Sequence, residues 1–241
     1  NANEGKNILH GGKVGFSILP WKKLNQTKDK IVYQINSIDK DQGFPGNLVV
    51  NCIYQLRNKF LIIKYEYKSN KSTHVNLTNH SYWNLNKNKK YNIFNHDLKI
   101  NSNKYLEVNK KLIPTGKIKS TKNTIYDFEK FSNLNEKIKK LSKNYYQKGF
   151  DLTYMVKKTP SEYIATLQNK LNKIKIDIFS DLPALTLYTA QHLNFKKKLY
   201  PFDGICLETE FCPDTPNQKK FPSTLIKPNK RYAFYTKIKI N

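Results

Sequence analysis

From Lys30 onward, apolar and aromatic residues come in short runs separated by Gly, Pro, Asn and Ser, which is the spacing of antiparallel sheet. Ile31–Ile35, Leu48–Tyr54 and Lys59–Tyr67 are such runs, and Gly43–Gly46 predicts a tight connection between the first two. His96–Ile100 resumes the pattern, Tyr163–Leu167 and Lys173–Ser180 read as a hairpin, and Leu207–Glu210 reads as a further strand. Nearer the start, Val14–Trp21 reads as a strand stopped by Pro20, and Ile113-Pro114-Thr115-Gly116 as a turn. Asn84–Tyr91 is an Asn/Lys-rich loop. Helical spacing is confined to Leu134–Leu141, inside a lysine-dense stretch to Gln147 that reads as a surface loop or short helix. Many short strands with no helices between them predict an all-β chain, a sandwich or large barrel rather than an α/β fold. No repeat or linker divides the 241 residues, so one domain over 1–241 is expected.

Composition adds little to this picture and removes several partners. Tyr (16) and Phe (13) are abundant, so bulky rings are expected to carry much of the packing. No apolar run reaches the length of a membrane span. The net charge of +25 raises the question of a polyanion. However, the lysines are scattered among asparagines and the only arginines are Arg57 and Arg231, which favours a solvated lysine surface and no nucleic-acid partner. Cys52, Cys206 and Cys212 are odd in number and lack CxxC spacing. Neither a zinc framework nor disulfides are expected, and a reduced, cytoplasmic interior is the default.

Chemistry concentrates in Asn76–Leu85, the run Asn-Leu-Thr-Asn-His-Ser-Tyr-Trp-Asn-Leu. A histidine, hydroxyls, amides and two rings suit a site that grips a polyhydroxylated ring and moves a proton near neutrality. Other candidates read blandly on their own. His10 is a turn histidine before two glycines, Asp151 a turn aspartate after Gly149, and Glu208 and Glu210 alternate with Leu207 and Thr209 as exposed strand carboxylates would. Tyr82 and Trp83 would face opposite ways in an extended segment, with Trp83 the one for the core.

Taken together, these blocks resemble the aldose 1-epimerase (galactose mutarotase) family. Leu9-His10-Gly11-Gly12, Gly43-Phe44-Pro45-Gly46-Asn47-Leu48, the His80 segment, Gly149-Phe150-Asp151, Leu207-Glu208-Thr209, Pro213-Asp214-Thr215-Pro216-Asn217 and Phe221-Pro222-Ser223-Thr224-Leu225 are similar to the family's motifs and follow in its order. The resemblance implies a large antiparallel β-sandwich, the mutarotase-like supersandwich. It also implies a monomeric enzyme that interconverts the anomers of galactose or glucose without metal or organic cofactor. His80 is then the general acid and Glu208 the general base, while His10, Ser81, Tyr82, Asp151 and, more weakly, Thr186 contact the sugar.

Departures from the family pattern qualify these roles. Leu152 stands where the family has His, Thr186 where it has Gln, Ala184 where it has Gly and Glu210 where it has Gln, so a sugar contact at Thr186 would be shorter or missing. If Glu208 and Glu210 lie close together, repulsion should raise the proton affinity of one. The family's Asn-Arg pair would precede Asn1, which implies an N-terminally truncated chain, the C-terminal majority of such a protein. A catalytically impaired sugar-binding relative is the alternative reading.

Overall fold

The computed structural model describes residues 2–88, 92–144, 148–196 and 198–241. The last three positions of the Asn84–Tyr91 loop and of the lysine-dense stretch to Gln147 lie outside the described residues. The chain forms two compact units, one running up to Asn76 with Thr224–Tyr235 and the other comprising Leu77–Ser223 with Thr236–Asn241.

In the first unit, β1 (Lys22–Gln26), β2 (Lys30–Ser37), β3 (Leu48–Arg57) and β4 (Phe60–Ser69) pair antiparallel in sequence order. Alternation decides which side chains go inward. Val50 and Tyr67 face each other across β3 and β4, and Val50 and Ile63 are almost fully buried. Asn58 and Lys59, both at positive φ, form the two-residue reversal between β3 and β4. The short β5 (Thr73–His74) pairs with Leu225–Ile226, and Tyr67 stacks on Tyr232 at 5.9 Å between centroids.

Residues Val14–Trp21 are not a strand as the sequence predicts, but a series of turns. Gly11 and Gly12 take left-handed conformations, and a side chain at Gly15 would collide with the His10 carbonyl. The Trp21 indole N–H donates to the Phe16 carbonyl at 2.9 Å. Glycine-led coiling outweighs the β preference of Val14, Phe16 and Ile18, and Val14 and Ile18 stay exposed.

The second unit begins its strands at β6 (His96–Ile100), followed by β7 (Lys104–Val108), β8 (Pro114–Ser120) and the short β9 (Ser132–Asn133). The predicted Ile113–Gly116 turn is displaced. Reversal occurs at Asn109–Leu112, where the Asn109 side chain accepts from the Lys111 and Ile113 amides, and Pro114 opens β8. Proline is tolerated at a strand's first residue, and an asparagine side chain can build a turn without glycine. Helix α1 (Leu134–Asn144) follows, with the Glu136 amide donating to Asn133 Oδ1 and with Leu134, Ile138 and Leu141 buried along one face.

The remaining strands are β10 (Asp151–Met155), β11 (Tyr163–Asn169), β12 (Ile174–Ser180), β13 (Ala184–Tyr188), β14 (Cys206–Glu210), β15 (Leu225–Ile226, the β5 partner) and β16 (Tyr232–Ile240). One antiparallel sheet of this unit places residues 236–240 of β16 beside β12, then β11, β6 and β9. The other runs β14-β13-β10-β7-β8. Phe128 packs edge-on to Phe150 and Tyr154, all three fully buried, so aromatic rings do carry packing here. Among the described residues no helix is long and apolar enough to cross a membrane.

One buried histidine connects this sheet to the Asn76–Leu85 segment. His96 Nε2 accepts the Leu85 amide at 2.8 Å, so Nδ1 carries the proton and donates to the Ile93 carbonyl at 3.1 Å. Burial pushes His96 down to about 4 from the ordinary 6.5. Replacing it by Phe leaves the Leu85 amide without its acceptor, with an expected cost of about 1–3 kcal/mol in denaturant unfolding. Because the folded value lies below the unfolded one, the neutral ring contributes stability above about pH 6.5 that is lost on acidification toward pH 4. The His96→Phe protein should lose less stability over that interval than the parent; equal losses would show that His96 is not the group concerned.

Candidate active site

Strand β14 reads Cys-Leu-Glu-Thr-Glu, and its period of two sends Cys206, Glu208 and Glu210 to one face. Pairing extends that face across β13 and β10. Cys206 stands opposite Tyr188 and Tyr188 opposite Asp151; Glu208 stands opposite Thr186 and Thr186 opposite Thr153. Residues directly opposite in antiparallel strands share a face, so these side chains form a continuous polar patch. The other face carries Leu152, Tyr154, Leu185, Leu187 and Leu207, all buried, which fixes the register because a one-residue slip would exchange the faces. Within the patch Thr186 donates its hydroxyl hydrogen to Glu210 and bonds Thr153 at 2.7 Å.

The Asn76–Leu85 segment is pinned to the start of this strand. Trp83 and Ile205 form an antiparallel bridge, amide to carbonyl both ways, at 2.8 and 2.9 Å. Extending that register by three residues in each direction sets His80 beside Glu208, and the side chains meet there: Nε2 lies 3.5 Å from Oε1. The other ring nitrogen, Nδ1, lies 3.4 Å from Cys206 Sγ. The His80 ring also packs against Tyr82 at 5.1 Å and Tyr188 at 6.2 Å. Tyr82 is 45% exposed, and a Cβ at Gly204 would come within 2.8 Å of its own Cβ, so only glycine fits there.

Burial dominates the electrostatics. The Glu208 side chain is 8% exposed, and this desolvation, reinforced by the Glu210 and Asp151 carboxylates, pushes its carboxyl up to about 9. Desolvation also raises Asp151, against the opposing pull of His192 and His80. The Cys206 thiol is pushed up strongly by burial and by the same two carboxylates, Glu208 and Asp151. Beside Asp151, Gly149 fits between the Thr189 hydroxyl and the Gln191 amide, and the Phe150 amide donates to Thr189 Oγ1 at 2.8 Å. The His192 amide donates to the Tyr188 hydroxyl at 3.3 Å.

The second unit therefore gathers His80, Tyr82, Asp151, Thr186 and Glu208 around one sheet face. Ser81 donates to Asn79 within its own segment at 2.6 Å. His10 belongs to the first unit, on an exposed turn with φ of 51°. The residue-only reading of Glu208 as an exposed strand carboxylate is corrected: Leu207 and Glu208 are both buried, since the strand is covered on each face. Trp83 is partly buried rather than a core ring. Sequence reasoning missed Cys206, Tyr188, Thr153 and His192. The first two could have been found by counting back two residues from Glu208 and forward two from Thr186, because strand period puts them on the same face.

Comparisons with known proteins bear on this arrangement. A family model described as Aldose 1-epimerase matches residues 1–239. Galactose mutarotase from Mus musculus is 32% identical over 246 residues, covering 99% of this chain and 70% of that protein. Aldose 1-epimerase from Escherichia coli K12 is 30% identical over 244 residues, covering 97% of this chain and 70% of that one. A solved structure of a GalM/aldose epimerase homologue from C. elegans superposes with a TM-score of 0.91 at 23% identity, covering 99% of this chain and 74% of the other. Galactose 1-epimerase from Lactobacillus acidophilus gives 0.86 at 23% identity, covering 100% and 72%. The fold is the large antiparallel all-β sandwich expected from the sequence.

The raised proton affinity of Glu208 has a consequence for stability. A carboxyl whose folded value lies above its unfolded value contributes stability that is complete below about pH 4.5 and is lost as pH rises through about 9. The slope from one such group is at most about 1.4 kcal/mol per pH unit. Unfolding free energies measured from pH 5 to pH 9 should fall more steeply for the parent than for Glu208→Gln. Parallel curves would mean that Glu208 ionises normally.

Proposed function

This chain belongs to the aldose 1-epimerase family, and on that premise we propose that it interconverts the α and β anomers of D-galactose and D-glucose by acid/base-catalysed ring opening. The observation that carries the reading is the distance of 3.5 Å between His80 Nε2 and Glu208 Oε1, in the middle of β14. Anomer exchange moves two protons at one carbon. The base takes the proton of the C1 hydroxyl while the acid delivers one to the ring oxygen, and both oxygens are bonded to C1. A carboxyl and an imidazole side by side suit that pair of transfers.

In this proposal the reacting form has Glu208 ionised and His80 protonated, reached when the carboxyl proton of the pair passes to the imidazole, and ring opening leaves Glu208 protonated and His80 neutral. Those two states hold the same number of protons and differ only in which partner holds the shared one. The strong proton affinity that burial gives Glu208 supports its role as acceptor and brings the two ends of the step closer in energy. The open-chain aldehyde rotates about C1–C2, and closure runs the transfers backwards. The C1–O5 bond and the O–H bond of the C1 hydroxyl break as the carbonyl and the O5–H bond form, and the sugar is neither oxidised nor reduced overall, so the chemistry calls for no cofactor.

Binding roles follow from the same face. Tyr82, with Tyr188 close by, offers ring surface to the C–H side of a hexose, and Asp151 accepts from its hydroxyls. Ser81 is assigned a sugar hydroxyl in exchange for its Asn79 bond. Thr186 gives its hydrogen to Glu210 and contributes an acceptor at most.

Polarimetry of freshly dissolved α-D-galactose and α-D-glucose tests the reading. The parent chain should accelerate the drift to equilibrium, and His80→Asn and Glu208→Gln should each lose about a hundredfold or more of that acceleration. Glu210→Gln should retain it; equal loss in Glu208→Gln and Glu210→Gln would overturn the assignment of the base. A folded chain that binds galactose but leaves its drift at the spontaneous rate would overturn the enzyme reading in favour of a sugar-binding relative. After subtraction of the hydroxide-catalysed rate, kcat/KM should fall as pH rises through about 9, where the pair loses its shared proton. Activity that continues to climb above that pH would show that the pair does not work with one proton between its members.

A further inference from the structure

His80, Cys206 and Glu208 together offer an imidazole nitrogen, a sulfur and a carboxylate oxygen within 4.8 Å of one another. We propose that these three side chains form a reversible binding site for Zn²⁺ or a similar borderline-soft divalent cation, and that the bound ion excludes the sugar. Nitrogen, thiolate sulfur and carboxylate oxygen are zinc's ordinary donors, and around a tetrahedral zinc neighbouring donor atoms lie about 3.5 Å apart. With Nδ1 as the donor, the 3.4 Å from Cys206 Sγ already has that length; with Nε2 as the donor, the 3.5 Å from Glu208 Oε1 does. One ring nitrogen takes the metal, so one of these short separations counts at a time, and side-chain rotation draws in the remaining donor from within the 4.8 Å span.

The frame is rigid. Cys206 and Glu208 project from one strand two residues apart, and the Trp83–Ile205 bridge holds the His80 segment against its start. The His80 side chain is 34% exposed, which gives an ion a way in and leaves the fourth coordination position for water. Magnesium and calcium do not suit the site, since each asks for six or more oxygen donors and the three side chains supply a single carboxylate. Binding involves no electron transfer: the thiol proton passes to solvent and the sulfur bonds the metal as thiolate. The ion is not part of the proposed reaction. It occupies both groups that would move protons, so competition with the sugar rests on the proposed function, whereas the metal site itself does not.

Titration of the whole chain with Co²⁺, which takes zinc's place and reports a thiolate ligand through a near-ultraviolet charge-transfer band, tests the site directly. The band should appear, should be displaced by Zn²⁺, and should vanish in Cys206→Ser while persisting in Cys52→Ser and Cys212→Ser. Zinc affinity by calorimetry should drop about tenfold or more in Cys206→Ser. If that variant melts at a markedly lower temperature, His80→Asn, altered at a more exposed position, must show the drop instead. A band that survives in Cys206→Ser, or unchanged zinc affinity in both variants, would overturn the site. In polarimetry Zn²⁺ should raise KM with kcat unchanged, reversibly on adding EDTA; zinc that lowers kcat alone would overturn the competition. A chain that shows the band but no anomer exchange would retain the metal site and lose the proposed function.

Discussion

A carboxyl group held away from water is the constraint around which the second unit is built. Glu208 sits in a strand covered on both faces, with leucines on one side and a polar patch on the other. The cost of ionising a carboxyl there is what lifts its proton affinity, and nearby carboxylates add to it. In a chain with 43 basic and 18 acidic residues, the gathering of Glu208, Glu210 and Asp151 on one sheet face runs against the overall charge. The sheet holds them there because the register is fixed by the apolar side. Charge repulsion is tolerated since slipping the strand would expose Leu185, Leu187 and Leu207.

Much of this fold can be read from the chain. β2, β3, β4, the β11–β12 hairpin and α1 match the elements observed; in β3, β12 and α1 the buried positions recur at the period of the element, whereas β11 is a continuous buried run. The misreadings have a local cause. At Val14–Trp21 the β-prone residues have no sheet to pair with, and the glycines around them decide the path. At Asn109–Pro114 the turn former is an asparagine side chain, a weaker signal than the Pro-Thr-Gly that follows.

The site was legible only in part. Strand period alone places Glu210 and Cys206 with Glu208, and Tyr188 with Thr186, whereas these two groups meet each other, Thr153 and Asp151 through strand pairing that no single segment encodes. His96 was invisible as a support because its partner Leu85 is a backbone amide. Residue roles came from resemblance, and the burial that makes Glu208 chemically unusual came from the sheet.

The bridge between Trp83 and Ile205 works as a ruler. His80 and Glu208 each lie three residues from it along chains that run in opposite directions, so their separation is set by a residue count on either side. Segments beyond the bridge, between His96 and Gly204, can lengthen or shorten without altering that count. The three positions on each side of it cannot, since gaining or losing one residue there would carry the imidazole out of line with the carboxyl or turn the carboxyl toward the opposite face of β14. Two hydrogen bonds thereby divide the sequence of this unit into a part free to vary in length and a part whose length is fixed.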